Sequence, residues 1–149
     1  MTDNPRSRAW FRVAVVYFVV AVALGLVMGA SGDHSLMAVH AHLNLLGWVS
    51  MTLFGLIGLA YPAITEGRIA SLHFWLYNIG MPAMLAALAA QLKNVPGFDP
   101  VLGIGSAVTG ISVALFAWLV ITRIATRPFL DQSKEHKDRP DQSAQSGAA

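Results

Sequence analysis

The amino-acid sequence predicts an all-α fold, an integral membrane four-helix bundle with both termini in the cytoplasm. The chain of 149 residues is 55% apolar and only 12% charged, whereas soluble proteins carry about 25% charged residues. Its 18 charges are also unevenly placed, because only five lie between Val13 and Thr122. Those five coincide with turn-forming residues, which divide the middle of the chain into four apolar runs.

Each apolar run is long enough to cross a bilayer, since a hydrocarbon core about 30 Å thick requires roughly 20 apolar residues per helix. The predicted spans lie at about residues 10–30, 36–61, 69–92 and 101–122. Turn residues separate them, at Ser31-Gly32-Asp33, at Pro62 with Gly67, and at Pro96-Gly97 with Pro100. A secretory signal peptide is the alternative for the first run, although its apolar stretch is long for one.

The distribution of Lys and Arg predicts the direction of the helices. The N-terminal tail, the 62–68 connection and the C-terminal tail carry nine of these residues together, and Lys93 is the tenth. By the positive-inside rule both termini face the cytoplasm, as in a multi-pass protein of the bacterial inner membrane. We therefore expect a cytoplasmic N-tail at 1–9, a transmembrane domain at 10–127 and a disordered cytoplasmic tail at 128–149.

Small residues on the fourth helix, and the absence of cysteine, limit how the chain is held together. Gly103, Gly105, Ser106 and Gly110 make one face small, which in lipid predicts close helix packing. The chain has no cysteine, which excludes disulfides, thiolate metal sites and c-type haem attachment. The formal net charge of +2 sits in the tails and indicates orientation in the membrane rather than nucleic-acid binding.

Three histidines lie in or beside the spans, where ionisable residues are costly and mark function by default. His40 and His42 are two residues apart, which on a helix is a rotation of about 200°. Their rings should therefore point to opposite faces and form two separate sites. The alternative is that each ring simply bonds a neighbouring carbonyl. His73, next to Trp75 near the inner side, is predicted to be an interfacial histidine in the aromatic belt.

The residues that follow His42 favour a haem over a bare ion. Leu45, Leu46 and Val49 extend the His42 face as an apolar wall. An imidazole that projects from such a wall suits an axial haem ligand, because the porphyrin is buried by contact while the iron takes the ring nitrogen.

The segment His40-Ala-His42-Leu-Asn-Leu-Leu-Gly-Trp, followed by Leu72-His73-Phe-Trp, resembles the tenth and eleventh helices of subunit I of the haem–copper oxidases. The resemblance covers about residues 36–100. It implies that His40 ligates the high-spin haem, that His42 ligates the low-spin haem, and that His73 is not a ligand. It also implies that Lys93, which stands where the family has an arginine pair, binds a haem propionate. His42-Leu-Asn-Leu-Leu is also similar to the second helix of nitric oxide reductases, whose histidine is a low-spin haem ligand.

The chain resembles only one arc of that subunit, helices nine to twelve, and lacks the copper-site histidines. A complete haem–copper active site is therefore not expected in one chain, and whether it is an enzyme stays open. Three copies around an axis would imitate the three arcs of the full subunit. The resemblance thus leads us to expect a homo-oligomer, favouring a trimer, in which a haem can be shared between subunits.

These observations predict a small membrane protein that binds haem b, with His42 and His40 as iron ligands and Lys93 at the propionates. It would transfer electrons to a redox partner protein or bind a diatomic gas such as O2 or NO. One alternative is a copper site made by His34, His40 and Met37. Another is a cofactor-free protein that assists oxidase assembly through its glycine faces.

Overall fold

A computed structural model describes residues 4–124, and this part of the chain is helical with no β-strand. Its helices are α1 (Pro5–Ser31), α2 (Met37–Ala60), α3 (Gly67–Leu92) and α4 (Asp99–Arg123). A short 3-10 turn at Pro62–Thr65 joins α2 to α3. All four helices are long and apolar enough to cross a membrane, which confirms the prediction of a helical fold with four candidate spans for the described residues. The predicted tail at 128–149 lies outside the described residues.

The first helix begins within the predicted N-tail, because a cap rather than the apolar run sets its start. The Asn4 side chain accepts a hydrogen bond from the Ser7 backbone N–H (3.1 Å), and Pro5 occupies the first helical position. Both features are typical of helix N-termini. At its other end α1 stops at Gly32, whose φ of 70° is the left-handed conformation that glycine adopts at helix ends.

The second helix contains a π-helical stretch at Leu43–Ser50, which begins directly after His42. Two backbone carbonyls in this stretch accept hydrogen bonds from side chains. The Ser50 hydroxyl donates to the Leu45 carbonyl (2.8 Å), and the Tyr77 hydroxyl of α3 donates to the Leu46 carbonyl (3.1 Å). π-Helical turns are rare and frequently accompany functional sites. The stretch therefore changes the number of residues per turn in α2 immediately after the two histidines.

Close packing of α3 against α4 depends on glycine. A Cβ atom at Gly105 would lie 2.7 Å from the Met84 backbone nitrogen, and one at Gly80 would lie 3.0 Å from the Thr109 hydroxyl. This confirms the predicted close packing of the small face at Gly105. At Gly103 and Gly110 a Cβ would meet nothing within 4 Å among residues 4–124, so only part of the small face turns toward α3.

An aromatic cluster fills the core in the half of the bundle where α1 begins. Trp10 of α1, Phe54 of α2, Tyr77 of α3 and Phe116 of α4 surround His73 with ring-centroid distances of 4.9 to 6.1 Å. Large apolar side chains also cover the outside, including Leu26 and Ile121, which are 70% and 80% exposed. An apolar exterior around a hydrogen-bonded helical core suits a lipid environment.

Candidate functional site

The rings of His40 and His42 contact different elements, as their spacing predicts. His40 Nδ1 donates to the Ala21 carbonyl of α1 (3.0 Å), whereas His42 Nδ1 donates to the Ala38 carbonyl of its own helix (2.7 Å). The His40 ring fits against α1 because residue 25 is glycine; a Cβ there would lie 2.9 Å from His40 Cε1. The regular α-helix extends to His42, so the 3.6-residue geometry holds for this pair.

These carbonyl contacts also determine where each ring carries its proton. A carbonyl oxygen only accepts, so Nδ1 is the protonated nitrogen of both rings and Nε2 holds the lone pair. Metal-bound histidines commonly show this arrangement, with one ring N–H held by a backbone carbonyl. Each ring thus bonds a carbonyl, as the alternative interpretation of the sequence has it, and each keeps the Nε2 lone pair with which a histidine can ligate a metal.

The Nε2 atoms of His40 and His42 differ in whether a hydrogen bond already uses their lone pair. His40 Nε2 accepts a hydrogen bond from the Asn44 amide nitrogen (3.3 Å), and that amide also donates to the His40 carbonyl (3.0 Å). His42 Nε2 has no hydrogen-bond partner among residues 4–124. His42 is thus ready to ligate as it stands, whereas His40 must first lose Asn44.

The surface around His42 is an outer face of the bundle. His42 is half-buried, and Leu45 and Val49, which follow it within the π-helical stretch, are 62% and 41% exposed. Leu46, the third residue of the predicted apolar wall, instead packs against the core. His42 therefore lies near apolar side chains that a single bundle leaves uncovered.

Lys93, the predicted propionate partner, lies at the same end of the bundle as His42 and is paired with a carboxylate. Its ammonium group contacts Asp33 Oδ2 at 2.6 Å, linking the end of α3 to the loop before α2. Both side chains are about half exposed. The hydrogen bond from Lys93, with further ones from Ser35, holds the pKa of the Asp33 carboxyl well below its ordinary value of 3.8.

Because the Asp33 pKa is lowered in the folded state, the pair stabilises the fold above pH 3.8, and that contribution is lost as the pH falls below this value. We expect the carboxyl carbon of Asp33, followed by NMR, to titrate below pH 3.8 in the native chain. In Lys93→Met the midpoint should rise toward the ordinary value. An unchanged midpoint in that variant would show that the loop, and not Lys93, holds the carboxylate.

His73 is not the interfacial residue that the sequence predicts. It is 3% exposed, whereas Trp75 is 62% exposed. His73 Nδ1 donates to the Ser112 carbonyl (3.0 Å) and hydroxyl (2.8 Å) of α4, and the Ser112 hydroxyl donates back to the His73 carbonyl (2.8 Å). The prediction failed because hydropathy gives the depth of a residue but not the face of the helix on which it lies. Ser112 is one of four hydroxyl-bearing residues in the fourth apolar run, and such residues were the available signal for a partner.

No cluster of three His, Asp or Glu side chains that could hold a metal ion occurs within residues 4–124. His34 and His40, two of the three predicted copper ligands, bond different carbonyls, those of Gly32 (3.0 Å) and Ala21. Comparison of the chain with protein-family models, curated proteins and solved structures finds no match. What remains of the predicted site is His42, whose Nε2 has no hydrogen-bond partner in the described part of the chain, near the exposed side chains of Leu45 and Val49.

Proposed function

We propose that the chain is a small membrane haem protein in which His42 Nε2 is an axial ligand of a b-type haem. The observation that carries the proposal is the state of the His42 ring, whose Nδ1–H is held by the Ala38 carbonyl (2.7 Å) while Nε2 has no partner in the described part of the chain. When bound, haem supplies an iron for one-electron transfer or, with an open position, for binding O2 or NO. The protein holds, orients and buries it.

We propose that a second subunit provides the other wall of the haem site. His42, Leu45 and Val49 lie on the outside of one bundle, so a single chain leaves one haem face in lipid. A homo-oligomer, a trimer by analogy with the three arcs of oxidase subunit I, would cover that face. His40 can act as a further iron ligand only where its Nε2 exchanges Asn44 for iron.

The proposal also includes the orientation and the outer rim of the site. The positive-inside rule puts both termini in the cytoplasm of a bacterial cell and places the His42 end of α2 on the outer side of the inner membrane. Lys93 lies at that end, where a haem propionate would compete with Asp33 for its ammonium group. A separate redox protein would then exchange electrons on the outer side.

Absorption spectra of the purified protein before and after reduction with dithionite test the proposal. We expect sharp reduced bands of low-spin haem, and carbon monoxide then distinguishes a closed iron from an open one. Colourless protein with bound copper would favour the His34, His40 and Met37 site instead. Protein without any cofactor would favour a scaffold that packs against a larger oxidase.

The haem-to-protein ratio, measured together with the mass of the detergent-solubilised complex, tests the shared site. We expect an oligomer, with fewer haems than chains wherever one haem bridges two subunits. A haem-loaded monomer would contradict sharing between subunits, but it would leave His42 ligation in place.

A further inference from the structure

A small cavity lies between the four helices at the end of the bundle opposite His42. Arg6 and Trp10 of α1, Phe54 of α2 and His73 of α3 contribute to its lining, together with Thr65, Ile64, Ala70 and Phe116. It has about 10 Å³ of room for the centre of a water molecule, which is the space that a single water needs. His73 lies six residues after the start of α3, about 9 Å into the helix.

Two buried polar atoms of residues that line this cavity have no hydrogen-bond partner among residues 4–124. They are Arg6 Nη1 and His73 Nε2. The other contacts of both groups are well formed: Arg6 Nη2 donates to the Ser71 hydroxyl (2.8 Å), and His73 Nδ1 donates to Ser112. A buried polar group without a partner costs about 1–3 kcal/mol, so two of them on side chains that line one cavity favour a bound molecule that bonds both.

The protonation of the two groups specifies what that molecule is. Arg6 Nη1 can only donate, whereas His73 Nε2 can only accept, because Nδ1 carries the ring proton toward the Ser112 carbonyl. The bridging group must therefore accept one hydrogen bond and donate another. A halide ion cannot donate to Nε2, a protonated oxyanion such as bicarbonate is too large for about 10 Å³, and Arg6 repels a cation, so water matches both the polarity and the volume of the cavity.

A larger, open pocket lies next to the cavity and shares two of its lining residues, Arg6 and Thr65. It has about 350 Å³ of room for water centres and is otherwise lined by Asn4, Pro5, Pro62, Glu66 and Gly67. The residues common to both spaces, one charged and one hydroxylic, form the boundary between bulk solvent and the ring of His73.

We propose that Arg6 Nη1 and His73 Nε2 bind one water molecule in the inner cavity, and that this water exchanges with the aqueous phase through the open pocket. The site gives His73 a hydrogen-bonded route to solvent from inside the bundle. The titratable or charged groups that adjoin the His73 ring are Arg6 of α1 and Tyr77 of α3, whose ring centroid lies 6.1 Å away. Trp10, Phe54 and Phe116 provide the apolar remainder. The site is independent of haem binding.

Magnetisation transfer from water to ¹⁵N-labelled histidine rings, in the full chain in lipid nanodiscs, tests the proposal. The His73 ring is identified by its contacts with Trp10 and Phe116. We expect a cross-peak between water and His73, and its loss when the sample is transferred to D2O. Absence of the cross-peak in the native chain would overturn the site, and persistence in D2O would overturn the exchange with solvent.

Two variants locate the water. Arg6→Met removes the donor, and Ala70→Val fills space in the cavity while keeping Arg6 and His73, so each should lose the cross-peak. Arg8→Met is the matched control. It also removes one positive charge from α1, but the Arg8 side chain, two residues after Arg6, does not line the cavity. This variant should keep the cross-peak. If Arg6→Met does not fold, Ala70→Val decides. A cross-peak that survives in Ala70→Val would contradict the assignment to this cavity.

Discussion

Replacing His42 with alanine is expected to abolish the reduced low-spin haem bands and to lower the haem-to-protein ratio by more than about tenfold. The expectation follows from its Nε2, which has no partner among residues 4–124 and is held in place through Nδ1 and the Ala38 carbonyl. Loss of groups that only orient a metal-bound ligand typically costs 10–100-fold in affinity, so loss of the ligand itself should cost at least as much. Absorption spectroscopy and a haem assay on the purified variant measure both quantities.

Folding should survive this substitution, which makes the result interpretable. The His42 ring is half-buried, and among residues 4–124 its hydrogen bond is to its own helix, so the far-UV circular dichroism of His42→Ala should match that of the native chain. His34→Ala is the matched control, because His34 also bonds a local carbonyl but lies in the exposed loop before α2. We expect His34→Ala to keep its haem. An unchanged spectrum in His42→Ala would show that another residue ligates the iron.

His40→Ala addresses the second ligand. If His40 gives up Asn44 to bind iron, its removal should convert six-coordinate haem to a carbon-monoxide-reactive form. If the ring stays as it is, bonded to Ala21 and Asn44, its removal should leave the spectrum unchanged and weaken the contact between α1 and α2.

The parts of this fold that follow from sequence are those set by the membrane and by simple helix geometry. Bilayer thickness requires spans of about 20 residues, so the four helices are evident from the apolar runs. The divergence of His40 and His42 follows from 3.6 residues per turn, since the helix is regular up to that point. The small-residue face of α4 likewise indicated a close helix contact, although only Gly105 on that face makes it.

Features that depend on which face of a helix turns inward were not accessible in this way. In a membrane helix both faces are apolar, so hydropathy does not separate the buried from the lipid-facing side. For this reason the sequence predicts an interfacial His73, and it predicts that Leu46 shares an outer face with Leu45. The π-helical stretch at Leu43–Ser50 accepts a hydrogen bond at Leu46 from Tyr77, 31 residues away, and a contact over that separation does not follow from the local sequence.

The contact between α3 and α4 leads to the second large expected effect, a loss of about 1–3 kcal/mol in the free energy of unfolding for Gly105→Ala. The added Cβ would lie 2.7 Å from the Met84 backbone nitrogen, 3.0 Å from Met84 Cα and 3.1 Å from the Gly80 carbonyl oxygen. All three are backbone atoms, so no side-chain rotation can relieve the overlap and the two helices must move apart. Unfolding of the purified protein by a denaturing detergent, followed by circular dichroism, measures the change.

Gly103→Ala provides the matched control, because it makes the same chemical change two residues earlier on α4, where the Cβ would meet nothing within 4 Å. Alanine is about 0.8–1.0 kcal/mol better than glycine in a helix interior, so this variant should equal or exceed the native chain in stability. Because the two variants should change the free energy of unfolding in opposite directions, the pair distinguishes the effect of helix propensity from the effect of packing. Equal stabilities for the two variants would mean that α3 and α4 do not approach as closely at Gly105. In that case, the His73–Ser112 hydrogen bonds, which join the same two helices, would need a different geometry.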